Sequence, residues 1–415
     1  MISLEEAREL VLSRLVPLAP QDLDLQSALG CVASRTIHAR EASPSFTNSA
    51  MDGFALRASD TTSGTVRLRI VDAIFAGQSG DVTVGNGEAA LIMTGAPMPR
   101  GADSVCPRES AVVEADGRHV LIGRVVGVGD SVRNVAEDVR VGQTLVEPHV
   151  TVTPGLIGAL AAQGITSISV HPRPRVGVLS TGNELVDGSG ELAPGQIRDA
   201  NRPALLASLR QSGFDPVDLG VVRDATVELA EAFQRATSIC DAVISTGGVS
   251  AGDADFVKVA LAELYGHQAR SMQVAIRPGK PFTYAYDEAT STPFFALAGN
   301  PVSTLVGFEL FVRPALRRLG GHRALERPTW SMVLDCDLPR ERDGRVHYVH
   351  GLYRVRDGAL HVERVARPGS HLLFGVSDAT CLIVSPESDG LVAGDTVRAM
   401  ILDDSALGEN SSPAT

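Results

Sequence analysis

The sequence predicts a multidomain protein of α/β plus β class, with a central parallel-sheet α/β domain, a split helical domain, a β-rich insert and a C-terminal β barrel. Three observations lead there. A chain of 415 residues exceeds what one hydrophobic core organises, so several domains are expected. Between residues 176 and 319, short apolar strand patterns alternate with amphipathic helical patterns, which implies a parallel sheet covered on both faces. On either side of a helical return near Pro154, the stretches 41–140 and 327–404 read as short strands broken by glycine and proline.

Taken in order, the chain opens on Ser3-Leu-Glu-Glu6, a capping box ahead of Leu4, Ala7, Val11 and Leu15 at helical spacing, and Pro17 ends that helix. The insert carries strand patterns at 66–71, 89–93 and 120–126. Helical spacing resumes at Leu156, Ile157 and Leu160, so residues 1–40 and 141–172 are expected to form one helical domain split by the insert. Val170-His-Pro-Arg-Pro-Arg175 is a stiff linker. The α/β domain then spans 173–326, with strands predicted at 176–179, 217–222, 242–244 and 294–297 and helices at 202–211, 226–237, 254–265 and 301–319. Gly320-Gly321 and Pro328 mark the break before the barrel at 327–404, and residues 405–415 read as a disordered polar tail.

Composition excludes several functions. The net charge of −12 repels nucleic acid and anionic membranes, and 4% aromatics leave little surface for stacking bases. The five cysteines are scattered, without a C-x-x-C pair, which disfavours a zinc knuckle or a disulfide framework. With no basic-apolar leader and no apolar run long enough to span a bilayer, a cytoplasmic location is expected. Any anionic ligand must be held by local geometry against the global field.

In open α/β sheets, ligands bind beyond the carboxyl ends of the strands, and the polar islands fall there. Ser245-Thr-Gly-Gly-Val-Ser-Ala-Gly-Asp-Ala-Asp-Phe256 joins a Gly-rich turn to two carboxylates, Asp253 and Asp255. Its backbone amides suit a phosphate, and its acids suit a divalent cation. The same run holds Gly248-Val-Ser-Ala-Gly252, the spacing of a serine-hydrolase nucleophile elbow, with His347, His350, His361 and His371 downstream. Against that reading, the histidines lie in the barrel, and the acids oppose an oxyanion. Ile276-Arg-Pro-Gly-Lys-Pro281 fixes Arg277 and Lys280 on a proline-restricted turn that suits an oxyanion. Ala298-Gly-Asn-Pro-Val-Ser303 starts a helix, with Asn300 as N-cap and Pro301 at its first position, and also forms a phosphate site. Glu184 and Asp224 each follow a strand, and Asp224 reads equally as a helix cap. Asp52-Gly53 reads as a hairpin turn, and Asn134 to Asp138 as a solvated loop.

Together these islands resemble the molybdopterin molybdenumtransferase family, the enzymes related to the gephyrin E domain. The resemblance runs through Ser49-Ala-Met-Asp-Gly-Phe-Ala55, Thr94-Gly-Ala-Pro-Met-Pro99, Gly101-Ala-Asp103, Glu137-Asp138, Ser180-Thr-Gly-Asn-Glu-Leu185 and Ile197-Arg-Asp-Ala-Asn201. It continues through Thr246-Gly-Gly-Val-Ser250, Asp253 to Phe256, Pro278-Gly-Lys-Pro281 and Gly299-Asn-Pro-Val-Ser303. It implies that the α/β domain binds a pterin, and that molybdate and adenylylated molybdopterin give molybdenum cofactor and AMP with magnesium. It also implies a homodimer whose site is shared between the α/β domain of one subunit and the insert of the other. A molybdopterin adenylyltransferase and molybdoenzymes are the implied partners.

By the family pattern, Asp224, Asp255 and Glu184 hold the metal, while Asp52, Thr94, Asp138 and Lys280 complete the catalytic set. Thr246, Gly247, Gly248, Ser250, Asp253, Arg277, Gly279, Asn300, Pro301 and Ser303 bind pterin, phosphate and oxyanion. Two departures stand out: Arg277 where the family usually has Lys, and His350 in Tyr348-Val-His350 where the family commonly has Arg in an aromatic-x-Arg pattern. They leave open a non-catalytic, pterin-binding paralogue beside the hydrolase alternative.

Overall fold

The computed structural model describes residues 1–248, 255–340, 342–365, 369, 372–387 and 390–404. Ser250, Asp253 and the expected tail lie outside the described residues. The chain divides into two compact units, one of Met1–Ser34, His149–Thr153 and Ser167–Thr415, the other of Arg35–Pro148 and Pro154–Thr166.

In the first unit, helix Leu4–Leu12 has the predicted capping box: Glu6 N–H donates to Ser3 Oγ at 3.0 Å, and Ser3 N–H to Glu6 Oε2 at 2.7 Å. Its buried residues Leu4, Ala7 and Val11 join Leu205, Leu209 and Phe308 in one core. Burying Leu4 and Val11 stabilises the docked helix by about 1.5–3 kcal/mol each, against roughly 1 kcal/mol for the cap, so packing holds it. The second predicted helix, Pro154–Ala162, belongs to the other unit. The two helices grouped by sequence therefore sit in different compact bodies. The first finds its apolar partner in the α/β core, whereas the second buries only Leu160.

Among the described residues, six strands form the α/β sheet in the order Asp215–Val222, Arg175–Thr181, Ala242–Thr246, Thr292–Leu297, Pro281–Asp287, Arg270–Gln273. The first four are parallel, as predicted; Pro281–Asp287 runs antiparallel to them and Arg270–Gln273 antiparallel to it in turn, making the sheet mixed. Alternate residues enter opposite cores. Val176, Val178, Ile244 and Phe295 meet helix Asn201–Gln211, while Leu179, Val243 and Phe294 meet helices Thr226–Thr237 and Phe256–Tyr265. Strand order reverses across Arg175–Thr181, which comes first in the chain and lies between the two strands that follow it, Asp215–Val222 on one side and Ala242–Thr246 on the other. The crevice past Thr181 and Thr246 is thus the topological switch point where such sheets bind ligands.

The predicted helix at 301–319 is interrupted. Helix Pro301–Gly307 passes through a π-helical turn, Phe308–Val312, into helix Arg313–Leu319. Pro314 has no N–H to donate, and the wider turn, with Arg313 N–H donating to the Phe308 carbonyl, carries the chain past it. The C-terminal strands Val346–Arg356, Ala359–Arg364, Thr329–Leu334, Thr396–Ile401 and Cys381–Ser385 pair in that order, and the last returns to the first, closing a barrel. Ile276–Arg277, expected to lie in a turn, pairs in parallel with Val346–His347 on the barrel.

The second unit holds a sheet in the order Ser104–Pro107, Gly53–Leu56, Glu88–Ile92, Val66–Ile74, His119–Ile122, Ala111–Val113. Gly53 opens a strand here; it is not a turn residue. A Cβ at that position would collide with the Cys106 carbonyl oxygen of the paired strand, so close strand approach, not a left-handed φ, requires glycine. Among the described residues no helix is long and apolar enough to cross a membrane.

Candidate functional site

Four strand ends meet at the switch point. Gly247 and Gly248 leave Ala242–Thr246 with φ of +98° and +62°. A Cβ on Gly247 would strike the Thr181 carbonyl oxygen, and one on Gly248 would stand 2.6 Å from Val257 Cγ2. Only glycine lets this backbone lie so close to the neighbouring strand end. Gly299 approaches from the other side, where an added Cβ would stand 3.6 Å from Gly247 Cα.

Asn201 ties these ends together: its Nδ2 donates to Thr246 Oγ1 at 2.8 Å and to the Gly299 carbonyl at 2.7 Å. Its Oδ1 is buried without a hydrogen-bond partner among the described residues. Asn201 starts its helix just after Asp199, which accepts from Ser180 Oγ at 2.9 Å and from Arg202 Nε at 2.9 Å. Neither Asn201 nor this network entered the predicted site set. The signal was present in Ile197-Arg-Asp-Ala-Asn201, but spacing alone does not show that Asn201 reaches two other strands.

Asp224 accepts from Thr181 Oγ1 at 2.6 Å. Helix Thr226–Thr237 has Ala225 at its N-cap, so Asp224 is not a cap, and among the described residues no hydrogen bond is made to its second oxygen. Glu184 folds back on its own turn, with its carboxylate 2.7–2.9 Å from where a Gly182 Cβ would stand. Asp255 is the N-cap of helix Phe256–Tyr265, accepting from Lys258 N–H at 3.4 Å. Burial raises its pKa while the Lys258 ammonium, ion-paired to Asp255 Oδ2, opposes the rise.

The oxygens of Asp224, Asp255 and Glu184 do not all lie within 4.8 Å of one another. Among the described residues the one such cluster is Glu114, Asp116 and His119 in the second unit, where Arg67 already holds Glu114 in a two-pronged bond. Magnesium needs no full protein cage; one or two carboxylates with substrate phosphates suffice. Asp224 fits that donor set, and Glu184 offers a second carboxylate. Asp255 fits only after Lys258 yields it.

The basic turn faces a second place. Arg277, Gly279, Lys280 and Ser303 line a cavity of about 980 Å3, opposite Arg340, Arg345 and His347 of the barrel. A Cβ on Gly279 would stand 3.5 Å from the Ser303 carbonyl oxygen, so the turn abuts the start of helix Pro301–Gly307. Asn300 stands at that helix's N-cap with Pro301 in its first turn, as predicted, and Thr304 Oγ1 donates to the Ala298 carbonyl at 2.6 Å.

Asp343 gathers the basic groups. Burial works against its charge, but Arg345, at 2.5 Å, and His347, at 3.1 Å, hold its carboxyl down to about 2. Arg277 reaches it at 3.5 Å. Arg340 Nε and Ser385 Oγ are buried in the same lining without partners among the described residues, and both are hydrogen-bond donors. His350 is 7% exposed, and burial pushes its imidazole down to about 4, leaving it neutral at pH 7. Arg340 was missed because Arg340-Glu-Arg-Asp-Gly-Arg345 reads as a solvated charge run.

Asp52, Thr94 and Asp138 lie in the second unit. Thr94 donates to Asp52 Oδ1 from both N–H and Oγ1 at 2.7 Å, which lowers the Asp52 pKa, the backbone bond contributing most. Asp138 accepts from Ser43 Oγ at 3.5 Å.

Known proteins share this architecture along the whole chain. Residues 2–164 match the family model of the MoeA N-terminal region (domain I and II), residues 177–318 that of a probable molybdopterin binding domain, and residues 332–402 that of the MoeA C-terminal region (domain IV). A molybdopterin molybdenumtransferase of Haemophilus influenzae is 35% identical over 401 residues, covering 96% of this chain and 98% of that protein. Molybdopterin molybdenumtransferase 2 of Mycobacterium tuberculosis is 35% identical over 404 residues, covering 95% and 98%. The crystal structure of a molybdopterin biosynthesis MoeA protein from Pyrococcus horikoshii superposes with a TM-score of 0.79 at 26% identity, covering 97% and 100%.

Neither alternative gains support. The relatives are named transferases, Ser250 and His371 lie outside the described residues, and His347 and His361 pair with Asp343 and Asp335 in the barrel. With matches over nearly its full length and relatives this close, the chain belongs to the molybdopterin molybdenumtransferase family.

Proposed function

We propose that this protein inserts molybdenum from molybdate into adenylylated molybdopterin and releases AMP. The observation that carries this reading is one helix serving two anion sites. The residues before and within the first turn of Pro301–Gly307 close the strand-end crevice, and Ser303 lines the cationic cavity. A substrate that carries a pyrophosphate and must receive an oxyanion needs two such adjoining sites.

In this reading the Gly248 amide, with Thr246 and Ser303, holds phosphate and pterin, while Gly247, whose N–H donates to the Leu297 carbonyl at 3.2 Å, serves by letting the ligand approach the backbone closely. Ser250 and Asp253, further along the same sequence motif, are assigned to the same ligand by the family pattern. Lys280, Arg277 and Gly279 hold molybdate. The guanidinium fork of Arg277 presents paired donors where a lysine would present a point charge, so oxyanion preference is set partly by that residue. Asp52, Thr94 and Asp138 complete the site from a second copy of the chain, which makes the working form a homodimer.

Magnesium is the proposed cofactor, held by Asp224 and Glu184 and joined by Asp255 once Lys258 pairs with a phosphate instead. When bound, it supplies charge that neutralises the pyrophosphate as AMP departs.

The test is AMP release from molybdopterin-AMP on adding molybdate. Asp255→Asn keeps an oxygen for the helix cap and removes the charge, so turnover is expected to fall roughly 100-fold while the thermal melt barely moves. EDTA should stop the parent enzyme, and magnesium should restore it. Full turnover in Asp255→Asn with EDTA present would reject the metal assignment.

A further inference from the structure

A separate cavity of about 280 Å3 lies where the chain passes from strand Ser167–His171 through Pro172, Arg173 and Pro174 into strand Arg175–Thr181. Its ionisable lining is basic apart from the Cys31 thiol. Arg173 and Arg317 carry fixed charge, His171 and His322 add imidazoles, and no carboxylate lines it. Burial of the Cys31 thiol raises its pKa, so it adds no negative charge. In a chain of net charge −12, an acid-free cavity between two guanidiniums is unusual.

The bland account is that these cations serve the ends of helices Asn201–Gln211 and Arg313–Leu319, which finish here. The hydrogen bonds argue otherwise. Ser212, Gly213 and Phe214 N–H groups already cap the first helix at 3.0 Å, and Gly320, Gly321 and His322 N–H groups cap the second at 2.9–3.0 Å. Arg173 donates to the Leu29 carbonyl and Arg317 Nε to the Ala324 carbonyl, neither at a helix end, and most of the other guanidinium donors of each have no carbonyl or carboxylate acceptor among the described residues. Two helix ends contribute about half a negative charge each, which two full guanidinium charges outweigh. His322 stays neutral, its pKa pushed to about 4 by burial and then by Arg317 and Arg313. Ser212 Oγ is buried in this lining without a hydrogen-bond partner among the described residues. Donors thus come from three walls: Arg173 on the linker, Ser212 Oγ at one helix end and Arg317 at the other. That spread suits a tetrahedral group better than a planar carboxylate.

We propose that this cavity binds the phosphate group of a small molecule, either inorganic phosphate or a nucleoside monophosphate, at a site distinct from the crevice and the oxyanion cavity. The experiment titrates inorganic phosphate, AMP and adenosine calorimetrically into full-length Lys280→Ala protein, whose oxyanion cavity is weakened. Phosphate is expected to bind at this cavity in addition to any binding in the strand-end crevice, and the component belonging to this cavity is the one that substitutions in its lining remove. Arg317→Gln should weaken it about tenfold or more, the scale of one charge-assisted hydrogen bond, and Ser212→Ala severalfold. Adenosine should not compete. AMP tighter than phosphate, and equally sensitive to Arg317→Gln, identifies the nucleotide as the source; equal affinities identify the free ion. Because Arg317 also supports the Ala324 carbonyl and Arg173 the Leu29 carbonyl, Arg173→Gln repeats the test on a second wall, and Ser212→Ala, which breaks no hydrogen bond among the described residues, is the variant expected to leave the melt unchanged. Phosphate that does not bind, or that binds equally well to Arg173→Gln and Ser212→Ala, overturns the proposal.

Discussion

Gly247 couples the backbone to the site at one residue. Its φ of +98° is costly for any other residue, and an added Cβ would press on the Thr181 carbonyl. Gly247→Ala is expected to destabilise the protein by about 1–3 kcal/mol from backbone strain alone and to abolish AMP release by forcing the strand ends apart. Gly123→Ala, where a Cβ meets nothing within 4 Å, is the matched control for urea unfolding.

His350 makes a different residue-scale argument. The sequence marks it as a departure; only the barrel shows that it is buried and neutral. Its folded pKa is about 4, against about 6.5 for an unperturbed histidine. The unfolded chain therefore takes up the proton first as pH falls. Stability from keeping the ring neutral is whole above about pH 6.5 and is lost progressively down to about pH 4. The loss is on the order of 3 kcal/mol, and His322, also lowered to about 4, adds to the same slope. Melting temperature should drop across that window, and His350→Gln should flatten part of the drop. A parent protein equally stable at pH 7 and pH 4 would contradict the burial argument.

Among the elements, legibility depended on how much of the pattern was local. The parallel strands were readable because near-continuous apolar runs bounded by polar loops mark a sheet covered on both faces. Pro281–Asp287 was not, because Phe282, Thr283, Tyr284 and Ala285 are all buried and include small and hydroxylated residues, so neither alternation nor a clean apolar run appears. Its role is visible only in packing, where Phe282 stacks on Phe311 with ring centroids 4.3 Å apart and 9° between planes. The strand thereby clamps the π-helical turn to the sheet and aims Lys280 at its head. Phe282→Ala is expected to cost about 3–5 kcal/mol, seen as a lower urea midpoint, and to weaken molybdate binding although Phe282 does not line the cationic cavity. Loss of stability with molybdate affinity intact would separate the clamp from the site.

Across the whole molecule, the sequence revealed which loops carry chemistry but not which loops share a cavity. The strand-end crevice followed from alternation and the switch-point rule. The cationic cavity did not, because it needs Ile276–Arg277 to join the barrel beside Val346–His347, about 70 residues away in the chain. That non-local pairing brings Arg340 and Arg345 opposite Lys280. It also places a basic pocket in a chain of net charge −12, which sets two fields of opposite sign against each other. The pocket cations act at contact distance, whereas the surplus negative charge is spread over the surface. At about 10 mM salt the screening length is about 30 Å, and at 150 mM about 8 Å. Added salt therefore removes the long-range repulsion of an incoming dianion before it weakens the contacts that hold it. The association rate constant of molybdate, followed by stopped flow, should hold steady or rise between these concentrations. A steep fall, as for a ligand steered by an attractive global field, would show that the pocket's charge governs the approach as well as the grip.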